Sequence, residues 1–283
     1  MSFPRHVSIL GLGLMGGSIG LALRARFPDV RRTGWSRRAS TREQALASGV
    51  VHEAFATPAD AVRSADLVVL CGPIMSIPAV LRECADALAP GAVVTDVGST
   101  KEWLATEVPP VLAGTQAVFV GSHPMCGSEQ QGLSAARAEL YQGALVAVVP
   151  GPAAATAAVE AFWSGLGARP VRMDAPEHDR RVAAISHLPH VAAALVVEAA
   201  LRGRDPGRDM MIAGGFRDTT RVASGPADVW IDILRTNRGA VGEQLAALET
   251  ALAGVRRLLA EEDWAGLEAW LDACRKSRGE ILS

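Results

Sequence analysis

The sequence predicts an α/β fold in which a mostly parallel sheet is followed by an all-helical domain. Three observations predict it. Between residue 6 and about residue 173, short runs rich in Val, Leu and Ile alternate with helical stretches, as in strand–helix–strand units whose sheet is covered on both faces. A glycine cluster directly follows the first run and opens a helical one. After Asp174 the strand signal stops and the chain reads as helix rich in Ala and Leu. The expected domains are therefore 1–173 and 174–283.

The strands are expected at His6–Leu10, Val30–Trp35, Asp66–Cys71, Ala92–Asp96, Ala117–Val120, Leu145–Val149 and Pro170–Met173, several of them continuous apolar runs of the kind buried on both faces. Helices are expected between them, notably Leu14–Arg26, Ser76–Leu88 and Ala153–Leu166, several ending near Gly or Pro. In the second half, interruptions are expected at Gly203–Pro206, Gly214–Gly215, Gly225–Pro226 and Gly239. The long helices Arg238–Glu261 and Ala265–Arg278 carry more apolar surface than a small domain hides, so the helical half is expected to pair with a second copy of the chain as a homodimer.

The chain has 283 residues, of which 49% are hydrophobic, and 28 Lys+Arg stand against 30 Asp+Glu for a net charge of −2. That composition excludes disorder, leaves room for two modest domains, and offers no general field for nucleic acid. The four cysteines, Cys71, Cys84, Cys126 and Cys274, are widely spaced, which points to a reduced, cytoplasmic setting. Arg5 and the apolar run Val7 to Leu23 imitate a signal peptide, but Gly11, Gly13, Gly16, Gly17 and Gly20 break it. No membrane partner is expected.

Gly11-Leu12-Gly13-Leu14-Met15-Gly16 has the GxGxxG spacing between a strand and a helix. There the first glycine permits a tight turn, the second lets a pyrophosphate approach the backbone, and the third lets the helix pack on the strand. The helix N-terminus adds donors and positive potential. This predicts a Rossmann-type dinucleotide site. An NAD site usually has Asp or Glu at the end of the second strand for the ribose 2′-hydroxyl. This chain has Ser36-Arg37-Arg38 after Gly34-Trp35, so NADP is favoured over NAD, although Arg doublets also occur at 31–32, 180–181 and 256–257. Gly72 and Pro73 follow the strand Asp66–Cys71 and are expected beside the nicotinamide half. Cys71 and Cys126 are expected to be packing residues.

Polar clusters then interrupt the apolar pattern at 96–101, 121–129, 186–190 and 215–221. His123, stiffened by Pro124 beyond a buried strand, suits a general base, and the residues alone leave a hydrogen-bonded structural histidine equally open. His187 and His190 lack an obvious third ligand, so no metal is expected. Arg217 and Arg221, four apart, either share a helical face that grips a carboxylate or are solvated surface charge. Ser99 is expected to cap the next helix, with Glu102 completing a capping box.

Taken together, the glycine loop, Asp96-Val97-Gly98-Ser99-Thr100-Lys101, Ser122-His123-Pro124-Met125, Glu129, His178-Asp179, Ser186-His187-Leu188-Pro189-His190, Gly215-Phe216-Arg217-Asp218 and the stretch from Arg221 to Trp230 resemble the prephenate and arogenate dehydrogenase family over nearly the whole chain. The resemblance implies oxidative decarboxylation of a cyclohexadienol to 4-hydroxyphenylpyruvate or tyrosine. It implies that His123 accepts the hydroxyl proton, that Ser99 bonds the same hydroxyl or orients the base, and that Arg221 holds a substrate carboxylate. His187, His190 and Glu129 then line the pocket and Trp230 completes it. Gly34 to Thr41 looks more like the NADP-using members. The sequence departs from the family at Ser224-Gly225-Pro226, where the proline comes one residue early. Competing readings are a dehydrogenase for a 4-amino analogue of prephenate, a β-hydroxyacid dehydrogenase, and a noncatalytic nucleotide sensor. A β-hydroxyacid enzyme usually needs a catalytic helix lysine, for which the helical half offers only Lys276.

Overall fold

The computed structural model describes residues 3–127, 130–203 and 206–282. The first strand, β1 (His6–Leu10), is buried at every position and feeds the glycine loop into α1 (Leu14–Arg26). Next come β2 (Arg31–Trp35), α2 (Ala39–Ala47), β3 (Glu53–Phe55), α3 (Pro58–Val62), β4 (Leu67–Leu70), α4 (Ile77–Arg82), β5 (Val93–Asp96), α5 (Glu102–Leu112) and β6 (Val118–Phe119). These strands form one six-stranded sheet in the order β3-β2-β1-β4-β5-β6, parallel throughout. That is the Rossmann order, with the reversal beside β1 that opens a crevice at the carboxyl ends of the strands. Register is tight at the centre, with Val7 opposite Leu67 and Leu67 opposite Val93.

The later strands do not extend this sheet. β7 (Ser122–Pro124), β8 (Leu145–Val148) and β9 (Arg169–Arg172) form a separate three-stranded sheet, with β7 antiparallel to β8 and β8 parallel to β9. Between β8 and β9 runs α6 (Ala153–Gly165), which buries Phe162 and Trp163 in the same core as Val7, Ile9 and Ile19. A second core on the other face packs α4 and α5 through Leu81, Leu104 and Val108. The predicted helix Ser76–Leu88 is broken: it begins as a 3-10 turn, is α-helical only in α4, and ends in a second 3-10 turn, Ala85–Ala87.

No strand follows Arg172 among the described residues. The chain continues as α7 (Ala175–Val182), a π-helical turn (Ala183–His187), α8 (Leu188–Leu201), α9 (Pro206–Met210), α10 (Gly214–Thr220), a 3-10 turn (Arg221–Ser224) and α11 (Ala227–Thr236). The π turn inserts an extra residue just ahead of Pro189, which lacks the N–H to continue the ladder. The run Ala175–Leu201 is long and apolar enough to cross a membrane by length and composition alone, yet His178, Asp179, His187 and His190 are among its few buried residues. Gly214 and Gly215 open α10 instead of interrupting a helix, and Gly239 lies inside α12 (Arg238–Ala260).

Chain packing separates a compact unit ending at Arg238 from one beginning at Gly239. The second unit consists of α12 and α13 (Trp264–Leu282), joined by a turn in which Asp263 accepts the N–H of Gly266 at 2.9 Å and so caps α13. Leu252, Leu259, Trp264, Trp270 and Leu271 are exposed on it.

Candidate active site

The glycine loop is shaped by close approach. Gly11 has φ +115°, and a Cβ there would stand 2.7 Å from the Cys71 carbonyl carbon and 2.8 Å from the nitrogen of Gly72. At Gly16 a Cβ would come 2.0 Å from the Gly11 oxygen, so only glycine lets α1 start this close to β1. Gly13, the N-cap of α1, has nothing within 4 Å of its would-be Cβ, and no side chain caps the helix. An open space therefore faces uncapped N–H donors at a helix N-terminus, which fits a dinucleotide pyrophosphate. Leu12, Leu14 and Met15 belong to this cradle, and the Met15 carbonyl accepts the Tyr141 hydroxyl at 2.7 Å. Ser36 to Arg38 turns at the end of β2 beside the loop, since Gly11 N–H donates to the Trp35 carbonyl at 2.9 Å. Arg42 braces that turn by donating to the Ser36 carbonyl at 2.7 Å, while Arg37 and Arg38 are exposed. Gly72 abuts the glycine loop directly, with Pro73 next in the chain. Burial pushes the Cys71 thiol up, and that of Cys126 up to about 11, so both are packing groups at neutral pH.

Beyond β5 a buried polar chain begins. Asp96 and Lys101 are almost fully buried and ion-paired, and Lys101 Nζ also donates to the Ser122 carbonyl at 2.9 Å. Asp96 accepts the N–H groups of Gly98 at 2.7 Å and Ser122 at 2.9 Å. The Ser122 hydroxyl donates to the Asp96 carbonyl at 2.6 Å and receives Trp163 Nε1 at 3.0 Å. Lys101 and Asp96 thus fix the carbonyl and N–H of Ser122 at the start of β7, the strand that carries His123. His123 Nδ1 lies 2.9 Å from His178 Nε2, and His178 Nδ1 lies 2.7 Å from Asp179 Oδ1. No hydrogen bond reaches His123 Nε2 among the described residues. Burial, reinforced by His178, Lys101 and His187, holds the His123 pKa well below the ordinary imidazole value, so the ring is an uncharged acceptor at neutral pH.

Asp179 also corrects an expectation about α5. Ser99 does not cap that helix: Lys101 occupies the cap position without a side-chain bond, and Asp179 accepts the N–H of Lys101 at 2.8 Å and of Glu102 at 3.0 Å. One carboxylate, 77 and 78 residues away in sequence, supplies the cap. Ser99 is half-buried on the loop between β5 and α5, without a hydrogen bond to His123. The Asp179 carbonyl accepts Asn237 Nδ2 at 2.8 Å, and the same nitrogen lies 3.2 Å from His187 Nδ1. Burial lowers the His187 pKa to about 4. Trp230 meets His187 edge-on and stacks on His190 at 3.4 Å between ring centroids. Gly225 is what admits this stack, since a Cβ there would lie 2.5 Å from Trp230 Nε1 and 3.0 Å from His190 Cε1. Arg221 is exposed at the start of the 3-10 turn, and Arg217 is exposed on α10, so the two do not share one continuous α-helix. Glu129 lies outside the described residues.

Two family models match this chain: the nucleotide-binding domain of prephenate dehydrogenase over residues 19–172 and the dimerization domain of prephenate dehydrogenase over residues 174–273. The chain belongs to the prephenate dehydrogenase family. A cyclohexadienyl dehydrogenase of Zymomonas mobilis is 34% identical over 269 residues, covering 93% of this chain and 91% of the relative. The solved structure of prephenate dehydrogenase from A. aeolicus in complex with hydroxyphenyl propionate and NAD+ has a TM-score of 0.91 at 28% identity, covering 99% of each chain. Synechocystis arogenate dehydrogenase gives a TM-score of 0.84 at 28% identity, covering 98% of this chain and 99% of that one.

In this family member the fold brings His123, His178, Asp179, Lys101 and Asp96 into one connected chain, and His187, His190, Trp230 and Asn237 into a second group linked to it through Asp179. Sequence reading found the histidines and Trp230 but gave no part to Asn237, nor any role to Lys101 and Asp179. A buried lysine is invisible in a polar turn. The adjacent pair His178-Asp179, on an otherwise amphipathic helix with Asp174 as its own cap, was the signal available.

Proposed function

We propose that His123 is the proton acceptor of this dehydrogenase and that its substrate is a cyclohexadienol of the prephenate and arogenate type. Members of the family are nicotinamide-dependent dehydrogenases that decarboxylate oxidatively. The observation that carries the proposal is an uncharged imidazole, mounted on β7, whose Nε2 has no partner among the described residues. A bound nicotinamide supplies the hydride acceptor. His123 Nε2 would take the hydroxyl proton as the carbinol carbon gives up its hydride and becomes a carbonyl. Loss of the ring carboxylate as carbon dioxide would then push its electron pair through the ring to that oxygen, which takes the proton back from His123 to give the aromatic hydroxyl. Aromatisation drives the step, so the chain's residues need mainly to align the substrate and hold one proton.

Ser99 contacts the same hydroxyl in this reading, Arg221 holds a carboxylate, and His187, His190, Glu129 and Trp230 shape the pocket. Support for a β-hydroxyacid reaction is missing: Lys276 is 80% exposed and Lys101 is locked against Asp96. NADP is the preferred nucleotide. Arg37 and Arg38 are exposed at the β2 end, the sequence from Ser36 to Arg42 has no carboxylate to repel a 2′-phosphate, and the nine-residue α2 starts there with no side-chain cap. The protein works in the cytoplasm, and as a homodimer, a pairing supported by apolar surface at Ile185, Leu195, Val196 and Ile231 and along α12 and α13. The domain boundary at 173/174 is supported by the end of β9 at Arg172.

The test is a matrix of prephenate and arogenate against NAD and NADP, read by nicotinamide absorbance, with His123→Asn alongside. The variant is expected to bind nucleotide normally and to lose about 100-fold or more in turnover. Wild-type turnover in His123→Asn removes the base assignment.

A further inference from the structure

We infer that His178 and Asp179 are positioning residues that fix the tautomer of His123, an inference that rests on His123 being the proton acceptor. The Asp179 carboxylate has no hydrogen to give, and it accepts main-chain N–H groups on both oxygens. Its 2.7 Å contact with His178 therefore places the proton on His178 Nδ1. His178 Nε2 is left with a lone pair, so the 2.9 Å contact makes His123 Nδ1–H the donor. With Nδ1 carrying the hydrogen, the His123 lone pair stands on Nε2, the nitrogen without a partner among the described residues.

The chain is held rigidly from several sides. Asp179 is tied to the first turn of α5, and its own carbonyl is held by Asn237. The charged and titratable groups packed around His123 are Lys101 with Asp96 from β5 and its following loop, His178 and Asp179 from α7, and His187 from the π turn. When Nε2 gains the substrate proton, the Nδ1 hydrogen is already directed at His178. Its transfer to His178 Nε2 leaves His123 neutral, now protonated at Nε2, and puts the positive charge beside the Asp179 carboxylate. One proton enters at His123 and one charge ends at His178, with no other reactant.

The decisive measurement is 15N NMR of histidine-labelled protein saturated with NADP, with His123 assigned by the loss of its signals in His123→Asn. Nδ1–H with an unprotonated Nε2 is expected at neutral pH, and an Nε2–H tautomer overturns the inference. His178→Leu should lower kcat by about 100-fold or more, move His123 toward the other tautomer, and leave NADP affinity within about twofold. His178→Gln, whose amide accepts from His123 and donates to Asp179, should restore most of that loss. A His178→Leu enzyme within about threefold of wild-type kcat, with the His123 tautomer unchanged, overturns the relay. If His178→Leu does not fold, the wild-type tautomer and the kcat of His178→Gln decide. An inactive His123→Asn beside a fully active His178→Leu leaves the base and removes the relay, whereas an active His123→Asn removes the base itself.

Discussion

Replacing Lys101 by Met tests whether the buried ion pair organises the strand that carries His123. The ammonium is 1% exposed and its partner carboxylate fully buried, so the substitution leaves Asp96 charged in a dry site. Breaking one side of a buried pair costs about 3–5 kcal/mol. Asp96 keeps the N–H groups of Gly98 and Ser122 as donors, which places the loss near the lower end, about 3 kcal/mol. At roughly 2–4 °C per kcal/mol for a chain of this class, the melting temperature should fall by roughly 6–12 °C. Asp96→Asn combined with Lys101→Met should recover part of that, because the uncompensated charge is gone, although the single amide oxygen can accept only one of the Gly98 and Ser122 N–H groups. Lys101 is also one of the positive charges that hold the His123 pKa down, so its removal lets His123 stay protonated to higher pH. The acid limb of kcat should move to higher pH accordingly. Circular dichroism melts and a pH–rate profile measure both. A single variant melting within about 2 °C of wild type refutes the claim that this pair is desolvated and structural.

Burial lowers the pKa values of His6, His52, His123, His187 and His190, so the unfolded chain takes up protons near pH 6.5 that the native chain refuses until lower pH, about 4 for His187. Stability should therefore be full above pH 6.5 and fall as the pH drops toward 4, by up to about 1.4 kcal/mol per pH unit for a buried histidine such as His187, the exposed His52 adding little because solvent screens it; a urea midpoint that stays level from pH 7 to 5 contradicts this. Gly225→Ala pushes a Cβ into the Trp230–His190 stack, and loss of a stacked pair, about 0.5–1.5 kcal/mol, predicts a two- to tenfold rise in substrate KM with the nucleotide KM untouched. Equal effects on both constants would place the stack outside the substrate pocket. Arg37→Ala with Arg38→Ala should raise the KM for NADP at least about tenfold while barely changing that for NAD, and parallel shifts would assign these arginines to the surface.

Much of the sheet was legible because strands buried on both faces must be continuous apolar runs, and β1, β4, β5 and β8 are such runs or nearly so. The strands that escaped notice are those where that logic fails. β3 has three residues at a sheet edge, and β7 is Ser-His-Pro, whose polar side chains serve the buried network instead of an apolar core. The cofactor cradle was legible for a steric reason, since Gly11 and Gly16 answer to backbone approaches that no side chain survives, while Gly13 leaves open space. The capping box was misread because Ser99 and Glu102 carry the local pattern, while the actual cap comes from Asp179, whose distance in sequence leaves no local trace.

What the sequence determined alone is the class of fold and the dinucleotide loop, because each depends on local chemistry, apolar periodicity and glycine sterics; for the imidazole of His123 it offered only a candidate, a histidine at a strand end. What only the tertiary structure decided is which neighbours that imidazole has. Two elements 55 residues apart place His178 against His123, and the direction of every hydrogen bond in the chain follows from the carboxylate at its far end. Acceptors and donors are properties of residues, but the order in which they meet belongs to the fold.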